Sequence, residues 1–127
     1  MKKPSFQLTV TALEDSLDFY VNILGFKIES FEPNKKATIS LDNNFLTLNQ
    51  SNSRWGTAKL SYPCGVGIML QFETDSLDKI YQQIENREYP LYDQYYPDSE
   101  QDCILSDETR IILLDPDGYL LALFAKN

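Results

Sequence analysis

The apolar and polar runs along this 127-residue chain predict an α+β fold built from two successive β-α-β-β-β modules. Three observations carry that prediction. The order strand, helix, strand, strand, strand occurs in the first half of the chain and again in the second. The letters Ser16-Leu17-Asp18 recur as Ser76-Leu77-Asp78. Finally, the hairpin Leu41-Asp42, turn, Phe45-Leu46 is echoed by Leu114-Asp115, turn, Tyr119-Leu120. Element order, hairpin and letters together point to an internal repeat.

The first strand is residues 5–11, where Phe6, Leu8 and Val10 alternate with Ser5, Gln7, Thr9 and Thr11. Thr11-Ala12-Leu13-Glu14 fits a capping box and predicts a helix start. Leu13, Leu17, Tyr20 and Leu24 then share one helical face that can lie over Phe6, Leu8 and Val10. Gly25 stands where a helix stop is expected. Strands follow at 26–31, 37–41 and 45–48, with Asp42-Asn43-Asn44 as a tight turn. Residues of the next stretch, rich in Asn, Ser, Gly and Pro, read as a connecting loop.

The second module opens with a strand over 66–72, with Ile68, Leu70 and Phe72 on one face and Met69, Gln71 and Glu73 on the other. A helix is predicted over 76–86, with Leu77, Ile80, Tyr81 and Ile84 on one side. A strand over 89–96, a polar loop, and strands over 108–114 and 119–125 complete it. Asp115-Pro116-Asp117-Gly118 joins the last two, because proline fixes φ and glycine accepts φ > 0. The expected organisation is one domain, with modules at about 5–50 and 65–126 and a loop at about 51–64.

Composition narrows the function classes. At 43% hydrophobic the chain can fill a real core, and its net charge of −8 argues against nucleic-acid or anionic-membrane binding, which need clustered Lys and Arg. The same charge favours cationic small molecules, or serves solubility alone. Cys64 and Cys103 stand isolated, which indicates neither a zinc knot nor a disulfide framework and suits a reducing compartment. Neither a signal h-region nor an apolar membrane span is legible, and the cytoplasm is the expected location.

Ser16-Leu17-Asp18-Phe19-Tyr20 followed by Leu24-Gly25-Phe26 resembles the first-helix signature of the vicinal oxygen chelate superfamily. That superfamily contains glyoxalase I, bleomycin-resistance proteins, fosfomycin-modifying enzymes and ring-cleaving dioxygenases. Asp115-Pro116-Asp117-Gly118-Tyr119 resembles its C-terminal hairpin. The resemblance implies an incomplete barrel of two curved sheets around a cleft, and commonly a homodimer. It also implies three metal-ligand positions, which fall on Ser5, within one residue of Met69, and on Ala122. None of these is a usual ligand for Zn, Ni or Fe, and the chain has no histidine. The expectation is therefore no metal and no cofactor, although Gln7, Gln71 and Glu73 carry oxygen donors.

Strand parity nominates the cleft lining. Ser5, Gln7 and Thr9 come from the first strand, Met69, Gln71 and Glu73 from the second module, and Leu120, Ala122 and Phe124 from the last strand. Trp55, Tyr95 and Arg110 join the candidate ligand-binding set, the first two as stacking rings and the third as an anion partner. Each has a structural alternative in packing or interface contact. Glu73 is the one candidate acid–base group. The leading expectation is a metal-independent binding protein, resembling bleomycin-resistance proteins, that sequesters a cationic or aromatic ligand. The alternative is a glyoxalase-like lyase or isomerase, or a dioxygenase, using a displaced metal site or metal-free acid–base chemistry.

Overall fold

In a computed structural model, the structure describes residues 6–51, 68–92 and 109–125. Strand β1 (Phe6–Val10) leads into helix α1 (Leu13–Leu17), which continues as a π-helical turn over Asp18–Ile23. Strands β2 (Lys27–Glu32), β3 (Lys36–Leu41) and β4 (Asn44–Gln50) complete the first unit. The second supplies β5 (Met69–Thr74), α2 (Leu77–Asn86), β6 (Arg110–Leu114) and β7 (Leu120–Ala125).

Among the described residues two small sheets result, ordered β1-β4-β3-β2 and β5-β7-β6, and they close no barrel. In each, the strand before the helix pairs parallel with the last strand of its unit, and that strand pairs antiparallel with the one before it. The repeat is therefore real at the level of pairing. Its letters are out of register with it, however. Ser76 is the residue before α2, whereas Ser16 lies inside α1, and the matching helix starts are Leu13 and Leu77. The slip is about one helical turn, which keeps the same face inward and so leaves the pattern looking intact.

One apolar core joins the two units. Leu8 and Val10 enter it with Leu13, Tyr20 and Leu24, but Phe6 is 60% exposed at the start of an edge strand. Rings connect the halves, with Phe26 edge-on to Phe72 at 5.8 Å and Phe19 against Tyr89 at 4.9 Å. The π turn is closed by Leu24 N–H donating to the Phe19 carbonyl, and the chain then reverses at Gly25, whose φ is +83°.

The capping box does not form. Ala12 precedes α1 without a side-chain cap, and Thr11 instead gives its N–H and hydroxyl to the Asp117 carboxylate at 3.1 and 2.6 Å. Gln50 does the capping from β4: its Oε1 accepts from Leu13 N–H, and its Nε2 donates to the Thr11 carbonyl, both at 2.8 Å. The expected strand over 89–96 is also absent where it is described, at Tyr89–Tyr92. Glu88 turns the chain at φ +54°, Tyr89 N–H returns to the Ile84 carbonyl, and Pro90 has no N–H to give a ladder.

Each β-hairpin grips the strand–helix junction of the opposite unit. Asp117 holds Thr11 as above, and the Tyr119 hydroxyl donates to the Thr9 carbonyl at 2.8 Å. Reciprocally, Asp42 accepts from Asp75 N–H at 3.2 Å, and Asn44 Nδ2 donates to the Glu73 carbonyl at 2.9 Å. The turn chemistry that makes the hairpins thus also docks the halves.

Candidate functional site

The helix-free face of the first sheet is a polar, hydrogen-bonded surface. Strand register sets Gln7 beside Thr47 and Thr9 beside Asn49, with Thr38 beside Thr47 on the other side of β4. Asn49 Nδ2 donates to Gln7 Oε1 at 3.2 Å, and the Thr38 and Thr47 hydroxyls lie 3.2 Å apart. Farther out, Ser40 donates to Glu29 Oε1 at 2.7 Å. Of this set strand parity pointed to Gln7 and Thr9 alone. The signal for the others was present, since Thr38 and Ser40, and again Thr47 and Asn49, alternate with apolar residues along their strands.

On the second sheet the candidates share one face but not one environment. Its rows are Met69–Leu120–Leu114, Gln71–Ala122–Ile112 and Glu73–Phe124–Arg110. Gln71 and Glu73 are exposed, Met69 and Arg110 half-buried, and Ala122 fully buried. Gln71 Nε2 turns onto the Met69 sulfur at 3.6 Å. In the last row a carboxylate strand and a guanidinium strand stand about 10 Å apart, two strand spacings, with the Phe124 ring between them. Trp55, Tyr95 and Ser5 lie outside the described residues.

On the β5 part of this face the oxygen donors are the Gln71 amide and the Glu73 carboxylate, short of the three protein ligands of a catalytic divalent-metal site. Met69 offers a thioether and Ala122 a methyl, neither of them a hard ligand, and among the described residues no three His, Cys, Asp or Glu side chains gather to hold an ion.

The strongly perturbed carboxylate lies elsewhere. Asp115 is buried at the head of the last hairpin, and burial raises its pKa to about 6 against the lowering pull of its hydrogen bonds. Its Oδ1 accepts from the N–H groups of Asp117 and Tyr119 at 2.9 and 2.8 Å, and its Oδ2 from the Tyr20 hydroxyl at 2.7 Å. Burial, then the neighbouring Asp115 charge, pushes the Tyr20 phenol well above its ordinary range. Perturbed groups often mark active sites. Here the partners of the carboxylate are its own turn and a core tyrosine, so its role is docking.

Two parallel-plus-antiparallel sheets, each with its helix on one face and joined by reciprocal hairpins, are matched by one family profile over residues 4–123, that of the glyoxalase/bleomycin resistance protein/dioxygenase superfamily. The chain belongs to this superfamily. Comparison with curated proteins finds no match. Among solved structures, a superfamily member from Alicyclobacillus acidocaldarius is 25% identical with a TM-score of 0.56, covering 96% of this chain and 90% of its own. A virulence protein from Salmonella typhimurium is 19% identical with a TM-score of 0.65, covering 100% and 98% respectively. A genomically encoded fosfomycin resistance protein from Listeria monocytogenes is 16% identical with a TM-score of 0.59, covering 99% and 91%. The last two likenesses speak to the superfamily fold alone.

Proposed function

We propose that this superfamily member is a small-molecule binding protein that works without a metal, in the manner of bleomycin-resistance proteins, as a cytoplasmic homodimer. What supports the reading is that the resemblance puts Ala122 at, and Met69 at or next to, positions where the metal enzymes of the superfamily place ligands. Without hard donors there, a vicinal diol or enediolate has no Lewis acid to meet. What the sheets retain is hydrogen-bonding capacity on the first and an apolar face with one carboxylate and one guanidinium on the second. Such surfaces suit recognition of a ligand carrying both rings and polar groups.

Gln7, Met69, Gln71, Glu73, Arg110 and Ala122, with Trp55 and Tyr95, are the proposed lining. Net charge of −8 and 13% aromatic residues favour a cationic or aromatic ligand. The test is a thermal-shift panel of cationic aromatic compounds, bleomycin included, against protein purified without chelators. A ligand at 100 times its Kd stabilises by about 2.7 kcal/mol, which such a panel detects. No shift across the panel sinks the ligand class. Near-stoichiometric Zn, Ni, Mn or Fe by elemental analysis sinks metal independence and favours a lyase, isomerase or dioxygenase.

A further inference from the structure

Beyond the sheet faces, a groove of about 320 Å³ opens at the C-terminal end of α2, a volume within the range of small-ligand sites. Tyr81, Ile84, Glu85 and Glu88 line one side, and Tyr89, Pro90 and Leu91 return past it as the other. Tyr81 and Glu85 stand one helical turn apart on α2, and Glu88 borders the same groove from the turn that follows the helix. Ile84 is buried beneath them and supplies the floor.

The electrostatics of this groove run against the usual rule for a helix end. The last turn of a helix carries the negative end of its dipole and favours Lys or Arg. α2 has no basic residue in its last turn, and it places Glu85 there with Glu88 just beyond. The adjacent cation, Arg87, turns away and pairs with Asp18 of the π turn at 3.3 Å. Two acidic residues and a dipole end therefore border one cavity that also has two tyrosine rings. The Tyr89 ring is fixed, since its hydroxyl donates to the Leu114 carbonyl at 2.6 Å and its face packs on Phe19. Tyr81 is 41% exposed, so its ring remains accessible.

We propose that this groove is a binding site for an organic ammonium with an aromatic or apolar body. The ammonium sits between Glu85 and Glu88 near the helix end, and the body lies along Tyr81, Tyr89 and Ile84. Cation–π attraction to the rings adds to the carboxylate pairing. This rests on the ligand-binding reading above and adds, on the helix side of the second unit, a cation site separate from the sheet-face lining.

The test uses the full chain and benzyltrimethylammonium as probe, with benzyl alcohol as its neutral counterpart. Calorimetric titration should show the ammonium binding at least tenfold tighter than the alcohol. Glu85→Gln with Glu88→Gln should weaken it at least tenfold, while Glu14→Gln with Asp15→Asn, the same charge change at exposed positions of α1, leaves it unchanged. Amide shifts in NMR spectra should centre on residues 81–91. Equal binding of ammonium and alcohol overturns the proposal. So does undiminished binding in the Glu85→Gln, Glu88→Gln variant, an outcome that leaves the ligand-binding reading standing. Absence of any ammonium binding to the folded chain overturns the groove, and the broader panel then decides the other reading separately.

Discussion

The Tyr20 hydroxyl meets the Asp115 carboxylate at 2.7 Å inside the core, tying the first helix to the last hairpin across most of the chain length. Tyr20→Phe keeps the ring contacts with Phe19 and Phe26 and removes only the donor. The expected cost is about 1–3 kcal/mol, because a buried carboxylate loses a partner. Urea denaturation measures it, and an unchanged midpoint would show the bond to be dispensable.

The pH dependence of stability should carry the mark of Asp115. Its folded pKa is raised to about 6 from an ordinary 3.8, so the folded state binds the proton more tightly than the unfolded chain. Its contribution is therefore fully present below pH 4 and is lost as pH rises through 6. Across that window the change is at most about 3 kcal/mol. Comparing denaturation of the native chain and Asp115→Asn from pH 4 to 7.5 isolates it. The stability difference between the two should move toward the asparagine form as pH rises.

Ser16→Ala should stabilise the protein. The hydroxyl is fully buried, and among the described residues it has no hydrogen-bond partner. Removing it relieves an unmet polar group and improves helix propensity, together about 1 kcal/mol. A rise of a few degrees in Tm is the expected readout.

The two reciprocal hairpin contacts should differ in strength. Asp117 is buried and accepts two bonds from Thr11, whereas Asp42 is exposed and accepts one from Asp75. Asp117→Ala should cost about 2 kcal/mol, and Asp42→Gly, which suits φ +54°, under about 1 kcal/mol. Equal losses in chemical denaturation would refute the asymmetry.

Gly25→Ala separates conformation from space. At φ +83° a Cβ would meet nothing within 4 Å, so the cost is backbone strain alone, about 1–2 kcal/mol. Gly25→Asn should lose less, since asparagine tolerates that region better.

Much of the fold was legible because it is local. Alternation placed β1, β3, β4 and β5 within a few residues, and helical spacing found the buried face of α2 at Leu77, Ile80 and Ile84. The errors share a cause. Thr11 has the letters of a helix cap but is drawn to Asp117, far along the chain. Tyr81 fits the helical stripe yet borders the groove, and Tyr89 has strand propensity yet is held against the helix end by Ile84. A partner outside the regular element, whether Asp117 far along the chain or the Ile84 carbonyl five residues back, leaves no periodic trace.

The same division applies to Asp115-Pro116-Asp117-Gly118. By itself the sequence determined that these residues make a turn between two apolar strands, because φ preferences are set by the residues in place. It also determined that Ala122 offers no carboxylate. Only the tertiary structure decided that Asp115 and Asp117 are buried clamps on Tyr20 and Thr11, because burial and cross-chain hydrogen bonds exist only once the two halves have met.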